Sequence, residues 1–104
     1  MLTQLLLLLS LPAAPFGGIS GDLRLGDKYL TGVPITLTCG AETAEATTDA
    51  NGSFRLTVKG EGKCRVSVKY EGQTPGVDVV VFDKPARYRL VLEKADGTYL
   101  LKRV

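Results

Sequence analysis

The sequence contains no histidine and no tryptophan, and it has two cysteines and one methionine among its 104 residues. Without histidine the chain cannot build a Ser-His-Asp or Cys-His nucleophile pair, nor a zinc site with imidazole ligands. Its aromatic residues are four tyrosines and three phenylalanines. We therefore expect no catalytic residue, no metal site and no cofactor, and we predict that the chain is not an enzyme.

A charge excess of one sign is also lacking, because 13 basic residues stand against 11 acidic ones, for a net charge of +2. This balance predicts neither a nucleic-acid partner nor an anionic membrane as a binding surface. Basic residues do recur at the outward positions of the predicted strands. They either form an ordinary solvated face or attract an anionic polysaccharide. These residues are Arg55, Lys59, Arg65, Lys69, Arg87 and Arg89.

The first residues form an apolar block, with leucine at positions 5–9 and 11, followed by Pro12, Ala13 and Ala14. This pattern predicts a signal peptide over residues 1–18, cleaved between Ala13 and Gly18, and one domain over residues 19–104. The alternative is a retained membrane anchor, but the block is shorter than the about 20 residues that a spanning helix needs. We expect a secreted, periplasmic or cell-envelope protein with no membrane span after signal removal.

Two later stretches alternate with the period of two that is typical of half-buried strands. Their apolar faces are Val33, Ile35, Leu37 and Cys39 in the first, and Cys64, Val66, Val68 and Tyr70 in the second. If the strands are antiparallel with Cys39 opposite Cys64, every apolar residue faces an apolar partner, and a shift by one residue loses this match. We therefore predict a Cys39–Cys64 disulfide, with two buried free thiols as the alternative.

The stretch 53–59 alternates as well, but a tight hairpin with the next strand would set inward Val58 against outward Arg65. We place it in a second sheet, which predicts a sandwich. Residues 41–50 are predicted as an edge strand rather than a helix, and Asn51-Gly52 as the reversal that follows. Further strands are predicted at 19–25, 77–82, 87–92 and 99–103, the last two joined at Asp96-Gly97. The predicted fold class is all-β, a seven- to eight-stranded antiparallel Greek-key β-sandwich.

The late strands carry more apolar residues than one buried face requires. Either Val80 and Phe82 or Val79 and Val81 face away from the core, and in the C-terminal hairpin Val91 and Leu100 do so too. Such a surplus predicts a surface for a protein partner or for a second copy of the chain. The alternative is that the loop at 71–76 or the hairpin covers it. The candidate interaction surface is Val80, Phe82, Val91 and Leu100.

Three motifs in this order resemble the carboxypeptidase regulatory-like domain of the transthyretin-like (prealbumin-like) superfamily. They are LTGVPITL at 30–37, ATTDANGSFRL at 46–56 and GKCRVSV at 62–68. The resemblance covers roughly residues 19–93 and implies a transthyretin-like sandwich with the Gly-x-Phe strand in the opposite sheet from the Cys64 strand. Transthyretin-like hydrolases that act on 5-hydroxyisourate rely on histidines, which are absent here.

The resemblance also implies a function, because such domains serve as non-catalytic accessory or interaction modules of exported proteins. We accordingly expect protein–protein interaction or an accessory role at the cell envelope. The alternative is a carbohydrate-binding module that uses the basic rows and the four tyrosines. These are Tyr29, Tyr70, Tyr88 and Tyr99.

Overall fold

The computed structural model describes residues 16–59 and 61–104, where the chain forms nine β-strands. They are β1 (Phe16–Leu25), β2 (Lys28–Tyr29), β3 (Pro34–Cys39), β4 (Glu42–Thr47), β5 (Ser53–Lys59), β6 (Gly62–Val68), β7 (Gly76–Val81), β8 (Ala86–Ala95) and β9 (Thr98–Arg103). Over these two ranges the chain has no helix with the length and apolarity to cross a membrane. Most of the predicted signal peptide, residues 1–15, lies outside the described residues.

The strands form two sheets that enclose one apolar core. The first sheet has the order β2-β1-β8-β9, with β5 paired to β1 on the same side as β2, and the second has the order β4-β3-β6-β7. The predicted all-β sandwich is confirmed. The prediction of purely antiparallel pairing is wrong in one place, because β1 and β8 are parallel. A parallel pair needs a long connection, and the whole second sheet lies between these strands in the chain.

The predicted pairing of β3 with β6 is confirmed. Leu37 lies opposite Val66 and Ile35 opposite Val68, and Cys39 is disulfide-bonded to Cys64 with 4.5 Å between their Cα atoms. The buried bridge points to an oxidising, extracytoplasmic location, since disulfides persist in such compartments.

The paired residues of β3 and β6 end at Ile35 and Val68, and beyond them the Lys69 amide donates to the Pro34 carbonyl at 3.0 Å in the same register. On the β4 side, Val33 exchanges hydrogen bonds with Thr48, donating its amide to Thr48 Oγ1 at 2.9 Å and accepting the Thr48 amide at 3.0 Å. Thr48 is a buried polar residue, at 3% exposure, and a buried hydroxyl needs such a partner. Tyr70 forms a short bridge to Gln73.

The segment at 49–52 carries the chain from the second sheet to the first. The Asp49 carboxylate accepts hydrogen bonds from the amides of Asn51 (2.8 Å) and Ser53 (2.9 Å), and Gly52 has a φ of 76°. The predicted reversal at Asn51-Gly52 is present, but Gly52 has a positive φ whereas Asn51 does not, so the pair is not a type I′ turn. The reason is that β4 and β5 belong to different sheets and need a crossing turn rather than a two-residue hairpin.

The C-terminal hairpin matches its prediction. Asp96 and Gly97 both have positive φ, 53° and 80°, as a type I′ turn requires. Leu92 lies opposite Leu101 in the core, and Glu93 opposite Leu100 on the outer face.

Strand β1 begins at Phe16, so the predicted domain boundary between residues 18 and 19 falls inside a strand. Phe16, Gly17 and Gly18 pair with β5, and Gly18 also bridges to Phe82. A chain that starts at Ile19 is expected to be less stable in urea than one that starts at Phe16, by roughly 2–3 kcal/mol, because several backbone hydrogen bonds are lost. Equal urea midpoints for the two chains would contradict this expectation.

Candidate interaction face

The outer surface of the first sheet is a continuous face that combines positive charge with apolar side chains. On β1, Ile19, Gly21 and Leu23 are buried, so the alternating residues Ser20, Asp22 and Arg24 point outward. Strand pairing places residues of β2, β5, β8 and β9 beside them. We call this surface the cationic face and define it as Ser20, Asp22, Arg24, Tyr29, Arg55, Arg87, Arg89, Val91, Glu93, Leu100 and Lys102.

The face is built from rows that cross neighbouring strands. In one row Ser20 lies between Arg55 on β5 and Arg87 on β8. In another, Arg24 lies between Tyr29 and Val91, and Val91 is followed by Lys102. Tyr29 is 49% exposed and Leu100 46% exposed. Aromatic and aliphatic groups are therefore accessible between the cations.

The two carboxylates of the face neutralise part of its charge. Asp22 lies 3.5 Å from the Arg87 guanidinium, and Glu93 lies 2.9 Å from the Lys102 ammonium. Within residues 16–59 and 61–104, no carboxylate forms an ion pair with the remaining cations of the face. These are Arg24, Arg55 and Arg89.

Arg24 has a further distinguishing property. Its Nε atom is buried and, within the described parts of the chain, has no hydrogen-bond partner. A buried donor without an acceptor costs about 1–3 kcal/mol. Because this atom lies below the surface, it adds a cost to the folded domain and is not itself a contact for a partner.

Two depressions open beside the Ser20 row. A groove of about 160 Å³ is lined by Gly17, Gly18, Ile19, Ser20, Arg55, Leu56, Thr57 and Pro85. A wider open cleft of about 490 Å³ is lined by Ser20, Gly21, Ala46, Thr47, Asp49, Ser53, Phe54, Arg55 and Arg87. Ser20 and Arg55 line both, so this end of the face can seat the side chains of a partner. Neither of the two ranges that the structure describes contains three grouped residues able to hold a metal ion.

The structure separates the four residues of the predicted interaction surface into two pairs. Val91 and Leu100 belong to the cationic face, whereas Val80 and Phe82 lie on or next to β7 in the second sheet. Val79 and Val81 are buried, which settles which side of β7 faces out. Val80 and Phe82 are 37% and 54% exposed, so neither the loop at 71–76 nor the hairpin covers them.

The loop at 71–76 instead attaches to the end of the β8–β9 hairpin. Tyr70 packs edge-on against Tyr99 with 5.1 Å between ring centroids, and Tyr99 is buried.

Burial raises the pKa of the Tyr99 hydroxyl, and the Glu71 carboxylate raises it further. Because the folded state favours the neutral phenol, this contribution to stability is present below the ordinary pKa of 10.0 and is lost as the pH rises above it.

Arg24 was missed in the sequence as part of a candidate surface, and Tyr29 was considered there only for the carbohydrate-binding alternative. Alternation along β1 predicts that Arg24 points outward, but nothing near Tyr29 signals a strand, because β2 has two residues. Its pairing with β1 depends on tertiary packing.

No protein-family model matches the sequence, and no curated protein matches it either. Among solved structures, the chain is similar to 5-hydroxyisourate hydrolase of Klebsiella pneumoniae. The TM-score is 0.58 and the sequence identity is 16%, over 84% of this chain and 97% of the hydrolase chain.

This similarity contradicts the prediction that the chain is not an enzyme. That prediction depended in part on a fold family expected to be non-catalytic, and a solved structure with the same fold is a hydrolase. At this identity the similarity concerns the fold alone, and it agrees with the strand order and register described above. The chain therefore has the fold of the transthyretin-like β-sandwiches.

Proposed function

We propose that the domain is an exported module of the carboxypeptidase regulatory-like type that binds an acidic protein partner on the cationic face. The observation that carries this proposal is the row in which Arg24 lies between exposed Tyr29 and half-buried Val91. Arginine and tyrosine are enriched in protein interfaces, where they combine apolar contact with hydrogen bonding.

Charge complementarity favours a partner that carries carboxylates. Arg24, Arg55 and Arg89 have no ion pair within the described ranges. Carboxylate oxygens accept strong, often bidentate hydrogen bonds from guanidinium groups. An acidic surface would therefore satisfy donors that the domain leaves open.

The same charges disfavour a second copy of the chain as the occupant of this face. Two cationic faces brought together would oppose arginines of one copy with arginines of the other, and like charges at an interface cost several kcal/mol. We therefore assign the face to a different protein.

Carbohydrate binding, the other function considered, has less support. Sugar rings stack on exposed aromatic faces, and Tyr29 is exposed whereas Tyr99 is buried and Tyr70 and Tyr88 are partly buried. A single exposed tyrosine provides little stacking surface. Because the face is cationic, the carbohydrate that fits it is an anionic polysaccharide. The experiment must therefore distinguish an anionic polysaccharide from an acidic protein.

The test is a charge reversal, Arg89→Glu, with binding to an Asp/Glu-rich peptide measured by titration calorimetry at about 0.05 M and about 0.3 M salt. We expect the reversal to weaken binding about tenfold, equivalent to about 1.4 kcal/mol, and higher salt to weaken wild-type binding. The matched control is Lys63→Glu, which makes the same charge change at an exposed position of the second sheet.

The result that contradicts the proposal is an equal loss of peptide affinity in Arg89→Glu and Lys63→Glu. Heparin serves as the parallel probe for the polysaccharide alternative. Tighter binding of heparin than of the peptide, with the same dependence on Arg89, would favour that alternative.

A further inference from the structure

The β7 and β9 side of the sandwich holds a pair of contacts that the proposed function does not use. β7 is an edge strand of the second sheet and β9 is an edge strand of the first. Each of them receives hydrogen bonds from one side chain that belongs to another part of the fold: Tyr88 on β8 contacts β7, and Gln73 in the β6–β7 loop contacts β9.

Tyr88 occupies the backbone groups of Val80. Its hydroxyl accepts a hydrogen bond from the Val80 amide at 3.0 Å and donates one to the Val80 carbonyl at 3.0 Å. In an antiparallel pair, alternate residues direct both groups away from the neighbouring strand, and Val80 is such a residue on β7. Phe82, the next residue in this register, bridges to Gly18. Two successive outward positions at the end of β7 are therefore occupied.

Gln73 makes the corresponding contacts at β9. Its Oε1 accepts the Tyr99 amide at 2.8 Å, and its Nε2 donates to the Gly97 carbonyl at 2.9 Å. The backbone of Gln73 is fixed in turn by two 2.9 Å hydrogen bonds with the backbone of Tyr70. The Gln73 side chain therefore occupies a backbone amide at the beginning of β9 and a backbone carbonyl of the hairpin turn.

These contacts matter because an open edge strand is a template for another strand. Edge strands with exposed apolar residues are the most prone to pair with a second chain, and Val80, Phe82 and Leu100 lie on or next to these edges with exposures of 37%, 54% and 46%. Native proteins avoid such pairing by covering the edge or satisfying its polar groups.

We propose that Tyr88 and Gln73 are edge caps that prevent β7 and β9 from adding a strand of a second copy of this chain. The proposal does not depend on the cationic face, because neither Tyr88 nor Gln73 belongs to it. It also assigns a role to the exposed β7 residues: they become a contact surface between copies when the caps are removed.

The first experiment uses Tyr88→Phe, which removes the hydroxyl and keeps the ring that lies 6.0 Å from the Arg103 guanidinium. Hydrogen exchange at low protein concentration is expected to show the Val80 amide exchanging about fivefold to tenfold faster than in the wild type, because the variant loses the acceptor of this amide. The matched control is Tyr29→Phe, in which exchange at Val80 stays unchanged.

The second experiment follows mass against concentration by sedimentation equilibrium. We expect the wild type to remain monomeric and the double variant Tyr88→Phe/Gln73→Met to form dimers as concentration rises. Circular dichroism confirms that each variant keeps its fold. If the double variant loses its fold, Tyr88→Phe alone is tested at the highest concentration, where it is also expected to associate.

Two results would overturn the proposal. One is unchanged Val80 exchange in Tyr88→Phe. The other is a folded double variant that remains monomeric, because Tyr88 and Gln73 would then contribute to stability without controlling association.

Discussion

Replacing Gly21 with alanine is expected to destabilise the domain by about 3–5 kcal/mol, enough to unfold much of the population. A Cβ at this position would overlap the Tyr88 carbonyl oxygen and lie 2.8 Å from the Tyr88 carbonyl carbon. Both atoms belong to the backbone of β8, which pairs with β1 at this position. The clash can be relieved only by moving two central strands of the first sheet apart.

The measurement is urea and thermal unfolding of Gly21→Ala beside Ser20→Ala. Ser20 is the preceding residue on the same strand and points outward, so its truncation is expected to change stability by less than about 0.5 kcal/mol. Failure of Gly21→Ala to accumulate as folded protein agrees with the expectation. A melting temperature equal to that of the wild type would contradict it, because β8 would then have moved away from β1 without a loss of stability.

The importance of Gly21 could not be predicted from the sequence. Alternation along β1 assigns Gly21 to the same face as Ile19 and Leu23, as it would any small residue. The close approach comes from β8, which joins β1 only after the chain has passed through the second sheet. Periodicity reports which face of a strand is buried, but it does not report which distant strand lies beside it.

The β3–β6 pair could be predicted because several local constraints agree on one register. Cys39 and Cys64 each end an apolar face, and aligning them also aligns Leu37 with Val66. β7 provides no such constraint, since residues 79–82 are apolar on both faces. The sequence therefore leaves two alternatives there, and packing against the core selects Val79 and Val81 as the buried pair.

The cationic face likewise could not be predicted from local sequence patterns. It combines residues of β1, β2, β5, β8 and β9, and each strand contributes between one and four positions that look like ordinary solvated residues in the sequence. Their combination depends on strand order, in particular on the parallel neighbour of β1. A fold shared with a hydrolase does not determine the function of this surface, because function depends on the side chains that a fold presents.

Opening the Cys39–Cys64 disulfide is expected to lower stability by about 3.5 kcal/mol, because the unfolded chain regains the freedom of a closed loop of 25 residues. In a domain of this size, about 4–8 °C of melting temperature corresponds to 1 kcal/mol, so the expected decrease is on the order of 15–25 °C. The loop contains β4 and β5, so the bridge also restricts the part of the chain that crosses between the sheets.

The loss of the crosslink must be distinguished from the loss of buried sulfur atoms. Thermal unfolding of the wild type with and without dithiothreitol changes the crosslink alone, whereas Cys39→Ala/Cys64→Ala also removes side-chain volume at Cys64, which is 5% exposed. We expect the double variant to melt at or slightly below the reduced wild type, and dithiothreitol to have no effect on it. If oxidised and reduced wild type melt at the same temperature, β3 and β6 are held together by their apolar pairs alone, and the disulfide contributes nothing to the stability of the second sheet.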